Sequence, residues 1–458
     1  MKVIVCGAGQ VGANIARHLA TENNNVTVID QSPELIRKIG DTLDVQAMVG
    51  HASHPGILEQ AGAEDTDLLI AVTYADEVNM VACQVAHSLF KVPTKIARVR
   101  QQNYLLPIWS DLFSREHMPI DHIISPEIEV ARAISHRLQA PGAFDMIPLA
   151  DGKVRVIGVR ATDECPLLNT PLRQLTTLFP DMHIVVVGII REGKTIVPTG
   201  DDQLLAGDEV YFVSESGHVA RAMASFGYEE SEARRVVIVG AGNIGLFLAQ
   251  EIEKHHPGVS TKLIEQDKAR AELAATTLDR SVVVRGNALD LEILSETNVG
   301  AAETVITVTN DDKVNILGAL LAKRSGCRRA VTLINDMTFE PLITTLGVDV
   351  VVSPRAITVS TILQHVRRGR IRSVHALREG VGEIVEAEAL ETSSVVGKPL
   401  REVDLDKGIL IGAVIRKGEV LLPRGDTVIE VNDLVILFAS AKAVKKVEKL
   451  FAVTLAYF

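Results

Sequence analysis

Two glycine-spaced turns carry the chemistry that can be read from this chain. Val3-Ile4-Val5-Cys6-Gly7-Ala8-Gly9-Gln10-Val11-Gly12 returns 233 positions later as Val236-Val237-Ile238-Val239-Gly240-Ala241-Gly242-Asn243-Ile244-Gly245. In a strand–turn–helix context, Gly-x-Gly-x-x-Gly lets backbone N–H groups and a helix N-terminus approach a pyrophosphate. Gly7, Ala8, Gly9, Gln10, Val11 and Gly12 are therefore candidate cofactor contacts, as are Gly240, Ala241, Gly242, Asn243, Ile244 and Gly245. An acid ends the second apolar run of each copy: Asp30 in Val28-Ile29-Asp30 and Glu265 in Leu263-Ile264-Glu265. A carboxylate there accepts hydrogen bonds from the adenosine ribose hydroxyls and repels a 2′-phosphate, which favours NAD(H) over NADP(H).

Further candidates lie at the predicted fourth and fifth strands. Thr73 and Tyr74, matched by Thr309 and Asn310, stand at a strand's carboxyl end beside the expected switch point. Ligand contact and capping of the following helix are both open readings for them. Arg98 interrupts the apolar run Ile96-Ala97-Arg98-Val99. A guanidinium in a buried parallel strand needs an anion, and a bound phosphate would serve. Its counterpart is Leu333, so the second site is expected to lack that cation and to bind more weakly or to prefer another nucleotide. His51 and His54 have no Cys or carboxylate to complete a metal set, so no metal site is expected.

The elements that must position these residues alternate. Strands are predicted at Lys2–Cys6, Asn25–Ile29, Asp44–Val49, Leu68–Val72, Lys95–Val99 and His122–Ile124, with helices between. Ser32-Pro33 opens one helix with a cap residue followed by proline. Six more strands repeat from Val236 to Val352, and alternation of this kind predicts a parallel, doubly wound sheet. The duplication reaches beyond the glycines. Thr73–Asn79 matches Thr309–Asn315, and Ile124-Ser125-Pro126 matches Val352-Ser353-Pro354, each opening a long helix. Two smaller β-rich stretches also correspond, Ile190-Arg191-Glu192-Gly193-Lys194 with Ile415-Arg416-Lys417-Gly418-Glu419. The expected fold is α/β, with two Rossmann-like doubly wound parallel sheets, each followed by a small α+β domain, in tandem duplication. The expected domains span 1–123, 143–227, 232–348 and 368–453, with Glu229–Glu232 as the linker between halves.

Composition narrows the function classes. The chain has 458 residues, 47% of them hydrophobic and only 4% aromatic, which suits aliphatic parallel strands covered on both faces. A formal net charge of −11 argues against nucleic acid as a partner, since phosphate backbones demand a basic footprint. The four scattered cysteines fit a reducing cytosol. No signal peptide and no apolar stretch of the ~20 residues a membrane span requires is read from the sequence. The basic run Arg367–Arg372 reads as a solvated linker, with docking on acidic partners or lipid headgroups as the minority reading.

Gly7-x-Gly9-x-x-Gly12 with Asp30, Thr73 and Arg98, followed by a module ending Gly207-Asp208-Glu209-Val210, closely resembles the regulator-of-potassium-conductance (RCK/KTN) family. Duplication of the whole unit is similar to the peripheral subunits of bacterial Trk potassium-uptake systems. The resemblance covers essentially the full chain. It implies RCK N-terminal and C-terminal domains in tandem, binding of NAD(H) with ATP or ADP as other occupants, and no catalysis. It also implies a homo-oligomeric ring, with four chains as one count. That ring would sit at the cytoplasmic face of the inner membrane, on a membrane-embedded Trk-type potassium transporter. Gly7, Gly9, Gly12, Asp30, Thr73 and Arg98 match family ligand positions, as do Gly240, Gly242, Gly245 and Glu265. Where the family often has an acid after the third-strand glycine, this chain has Gly50-His51 and Gly286-Asn287. The competing reading, an NAD-dependent oxidoreductase, needs a general acid or base beside the nicotinamide. No sequence is left over for a substrate domain once both pairs are assigned.

Overall fold

The computed structural model describes residues 1–21, 24–178, 183–229, 233–336, 343, 345–366, 371–377 and 381–451. Residues 230–232 of the expected linker and 367–370 of the basic run lie outside them. Two compact units divide the chain: Met1–Val130 with Pro354–Val366, and Ala131–Ser353 with Arg367–Phe458.

The first unit is built on six parallel strands, β1 (Lys2–Cys6), β2 (Asn25–Asp30), β3 (Gln46–Val49), β4 (Leu68–Ala71), β5 (Thr94–Arg98) and β6 (His122–Ile124). Their order is β3-β2-β1-β4-β5-β6, so the connection direction reverses between β1 and β4. Strand β1 is apolar at every position after Lys2 because helices cover both faces of the sheet. Successive side chains point to opposite faces. Val3 and Val5 join a core with Ile15, Ala16 and Leu19 of the helix Gln10–Thr21. Ile4 and Cys6 join another with Met80, Ala82 and Cys83 of the helix Asp76–Ser88. Burial pushes the Cys6 thiol up to about 12 and raises Cys83 as well, so both are packing groups without thiolate character.

The helix Pro354–Gln364, about 230 residues beyond the last strand of this sheet, completes the first unit. Its Val359, Ile362 and Leu363 are buried with Ile15 and Leu19 against β1 and β2. The corresponding first-copy helix, Pro126–Arg137, is shared: its second half belongs to the second unit, where Ser135 Oγ and His256 Nε2 lie 3.0 Å apart.

Within the second unit, β7 (Asp145–Leu149), β8 (Val154–Arg160), β9 (Ile184–Arg191), β10 (Lys194–Ile196) and β11 (Glu209–Glu215) form an antiparallel sheet ordered β10-β9-β11-β8-β7. The second parallel sheet comprises β12 (Arg235–Val239), β13 (Ser260–Glu265), β14 (Val282–Arg285), β15 (Thr304–Thr307), β16 (Arg329–Leu333) and β17 (Val350–Val352). Its order, β14-β13-β12-β15-β16-β17, repeats the first. A second antiparallel sheet follows, made of β18 (Ile371–Ala376), β19 (Gly382–Glu388), β20 (Ile409–Arg416), β21 (Glu419–Leu421) and β22 (Leu434–Ser440). It is ordered β18-β19-β22-β20-β21.

The repeated motifs of the small sheets have structural reasons. Glu192-Gly193 and Lys417-Gly418 all have positive φ, as a two-residue hairpin turn matched to strand twist requires. Beside each turn, Arg191 and Arg416 clasp Asp208 and Asp433 with paired N–H bonds of 2.7–3.0 Å. One face of each small sheet packs on the other, through Val156, Val187 and Val213 against Ile384, Ala413 and Phe438.

Ile362→Ala removes a side chain with 0% exposure and should cost about 2–5 kcal/mol in the first unit. Hydrogen exchange checks it: amides of Lys2–Cys6 should lose protection, and those of Arg235–Val239 should keep theirs.

Candidate functional site

Each parallel sheet presents its glycine turn at the carboxyl end of its central strand, where strand order reverses and open α/β sheets bind ligands. Three glycines do three jobs. Gly7 has φ +112°, and a Cβ on it would stand 3.0 Å from the backbone of Val72 and Thr73. Gly12 lies in the first turn of the helix Gln10–Thr21, where a Cβ would fall 1.8 Å from the Gly7 carbonyl oxygen. Gly9 faces open space, which leaves its backbone accessible. The second copy repeats all three: Gly240 at φ +100°, Gly245 with a Cβ 1.9 Å from the Gly240 oxygen, and Gly242 open. Between them Ala8 and Ala241 are buried, Gln10 and Asn243 exposed, and Val11 and Ile244 half-buried.

Both acids clamp their turn to the second strand. Asp30 Oδ2 accepts from the Ala8 amide at 2.6 Å, and its Oδ1 from the Ser32 amide at 2.8 Å. Glu265 does the same at 2.7 and 2.9 Å with the amides of Ala241 and Asp267. A carboxylate has about four lone-pair sites, so each acid keeps acceptor capacity for ribose hydroxyls. Ser32 and Asp267 next cap the following helices, accepting from the amides of Leu35 and Arg270.

The opposite wall rests on a residue the sequence reading did not single out. Asn79 is fully buried. Its Oδ1 accepts from both the amide and the hydroxyl of Thr73, at 2.8 and 2.7 Å. Its Nδ2 donates to the carbonyls of Thr73 and Arg98 at 3.2 and 2.9 Å. One amide thus ties the ends of β4 and β5 together. Asn315 makes the same four bonds to Thr309 and Leu333. The signal was the Thr-to-Asn spacing shared by Thr73–Asn79 and Thr309–Asn315. Neither threonine caps its helix: Ala75 and Asp311 hold the N-cap positions. Tyr74 projects outward with 86% exposure.

Arg98 is the last residue of β5, and its Nη2 donates to the Thr73 carbonyl at 2.7 Å. Its buried Nε has no partner among the described residues. Burial pushes the guanidinium pKa down and Arg100 adds to the push, while Glu127 and Asp76 oppose it. A cation held this way is poised for an anion. In the second copy Leu333 stands there, but a cleft of about 220 Å³, bounded by Gly240, Glu265, Asn287 and Thr309, also includes Arg270. The β16 position thus carries no cation, and Arg270 is a cation elsewhere on the border of the cleft. Arg270 escaped notice because its counterpart is Leu35. His51, the counterpart of Asn287, stacks on His54 with ring centroids 4.5 Å apart.

The TrkA-N domain family matches residues 3–126 and 236–354, and the TrkA-C domain family matches residues 156–227 and 384–452. The chain is similar throughout to the Trk system potassium uptake protein TrkA of Azorhizobium caulinodans, at 52% identity over 458 residues and 100% of both chains. The protein of the same name from Halomonas elongata is 42% identical over 462 residues, again covering 100% of each. Among solved structures, the GsuK RCK domain matches with TM-score 0.59 at 19% identity, over 98% of this chain and 94% of that one. The GsuK channel bound to NAD matches with TM-score 0.60 at 18% identity, over 98% and 78%. These two likenesses concern the fold.

Asn79→Ala should cost about 1–3 kcal/mol, because it strands the buried amide and carbonyl groups that the side chain pairs. Thermal unfolding of the variant, compared with Asn315→Ala, reads this directly; an unchanged midpoint in both would remove the clip from the account of the wall.

Proposed function

This chain belongs to the TrkA family, with TrkA-N and TrkA-C domains in tandem, and we propose that it is the nucleotide-sensing regulatory subunit of a Trk-type potassium uptake system. In this reading it binds NAD(H) and gates a membrane-embedded potassium transporter from the cytoplasmic face, as a homo-oligomeric ring. ATP and ADP are further occupants of the same chemistry. No helix among the described residues is long and apolar enough to cross a membrane, so the transporter supplies the membrane path.

The observation that carries the reading is the paired turn and acid clamp. Gly9 offers open backbone, Gly12 lets the helix N-terminus close on the turn, and Asp30 holds its carboxylate at the ribose position. The orphaned Nε of Arg98 is the fit test on the far side, since a phosphate oxygen supplies the acceptor that the protein does not. Gly7, Ala8, Gln10, Val11, Thr73 and Tyr74 complete the first set of contacts. Gly240, Ala241, Gly242, Asn243, Ile244, Gly245 and Glu265 form the second. A bound dinucleotide supplies anionic phosphates and two hydroxylated riboses, and no reaction is assigned to it.

Gating requires that the ligand bind two states with different affinity. The helix Gln10–Thr21 begins at the phosphate position and packs on Pro354–Gln364. That second helix leads in sequence into the second small module. A shift of the turn on nucleotide binding is therefore delivered to a helix from the far half of the chain.

Removing the chain from its host should abolish or sharply lower potassium or rubidium uptake, and Asp30→Ala should fail to restore it fully. The same variant should lose NADH binding in calorimetry while keeping wild-type circular dichroism. Full uptake without the chain would overturn the regulatory reading.

A further inference from the structure

The joint between the first sheet and the helix Pro354–Gln364 carries two imidazoles face to face. His122 begins β6, and His365 follows the last turn of that helix, its amide donating to the Ile362 carbonyl at 3.0 Å. The ring centroids lie 4.0 Å apart, with the planes 19° from parallel. Both residues belong to the first unit, so the stack is part of the seat that Val359, Ile362 and Leu363 make against the sheet. Neutral imidazoles stack at this separation without penalty. Two imidazolium cations repel each other there, since like charges at contact distance interact even through water.

The second copy builds the same joint from groups that do not titrate. Ile124-Ser125-Pro126 corresponds to Val352-Ser353-Pro354, so His122 matches Val350 and His365 matches Arg137. Val350 and Arg137 border one crevice of the second unit. A guanidinium stays charged throughout the accessible pH range, and here Asp145 neutralises it at 2.9 Å while the Phe144 carbonyl accepts from its Nε. An aliphatic side chain and a paired cation serve one joint, and two titratable rings serve the other.

The charges around the rings leave them neutral. Burial lowers the pKa of His122 and Asp121 opposes the shift, but that carboxylate is already engaged by Lys95 at 2.8 Å and lies 4.0 Å from Arg115. Burial, and then the His122 ring, push His365 down to about 4. Among the described residues, the other charged groups on the elements packed here are Arg98 on β5, Glu127 and Glu129 on the helix after β6, Arg17 and His18 on Gln10–Thr21, and Arg355 at the far end of Pro354–Gln364. None of them moves either imidazole. Seated rings with pKa values below the ordinary ~6.5 bind fewer protons than released ones. The seat is therefore fully held above about pH 6.5 and weakens as pH falls toward about 4.

We propose that the His122–His365 stack is an acid-sensitive latch: protonation of the rings loosens the helix Pro354–Gln364 from the first sheet, while the equivalent joint in the second unit stays closed. The response to acid stands without the nucleotide reading. Its consequence, that acid uncouples the first glycine turn from the helix it would move, rests on that reading.

Hydrogen exchange on the full chain without nucleotide, corrected for intrinsic rates, tests the latch at about pH 7.5 and about pH 5.5. Opening of residues 358–363 should rise by up to about tenfold at the lower pH, and that of residues 131–137 should hold. His122→Phe combined with His365→Phe keeps two rings that cannot charge, so its opening should not respond to pH. Should that variant misfold, an NMR titration of the histidine rings in the wild type reads the same point, with His365 titrating below the ordinary ~6.5. Opening of the wild-type helix that ignores pH, equal loosening of both segments, an undiminished response in the double variant, or ordinary titration of His365 would each overturn the latch.

Discussion

The close approach of Gly12 to the Gly7 carbonyl is the contact on which the first unit turns. A methyl group on Gly12 would overlap that oxygen, so the helix Gln10–Thr21 could not begin where it does with any other residue. Because it begins there, its N-terminal dipole points at the ligand position, and Ile15, Ala16 and Leu19 are set over β1. The seat for Pro354–Gln364 is set in the same step. Gly245 imposes the identical constraint on the second sheet. A requirement for phosphate approach and a requirement for core packing are met by one hydrogen atom in place of a side chain.

Around that contact the site is held by polar groups that serve the protein before any ligand arrives. Asp30 and Glu265 accept from backbone amides of the turn, and Asn79 and Asn315 join neighbouring strand ends. Charge-assisted bonds to a carboxylate are stronger than neutral ones, and a buried amide left unpaired is costly. These residues therefore preorganise the cleft. Arg98 differs, since its Nε finds no partner among the described residues.

Duplication preserved this preorganisation and released the rest. Strand order, glycine turn, acid clamp and asparagine clip recur in both parallel sheets, because each depends on backbone geometry common to the fold. Several side chains around the turns do not recur: Arg98 corresponds to Leu333, Leu35 to Arg270, and Ala75 to Asp311. Positions that carry scaffold geometry resist change, whereas positions facing an open cleft alter specificity at little cost to folding.

Most of the architecture was legible in the residues. Continuous apolar strands, Ser32-Pro33 capping and the glycine spacing depend on contacts within a few residues or on two-faced burial, and strand ends shifted only slightly, as with β3 starting at Gln46. The acids were legible because they stand at a fixed place after the second strand. Asn79 was visible only as a repeated letter, since its role needs Thr73 and the end of β5 brought together. Arg270 was invisible because nothing in its neighbourhood predicts that its helix borders the cleft. The destination of Pro354–Gln364 was also hidden: periodicity announces a helix but does not say which sheet covers its apolar face. By itself the sequence determined the elements, their order and the chemistry of the turns, because local hydrogen bonding and side-chain period decide these. Only the tertiary structure decided which distant segments share a core and which charges face a common cleft, because both depend on chain closure over hundreds of residues.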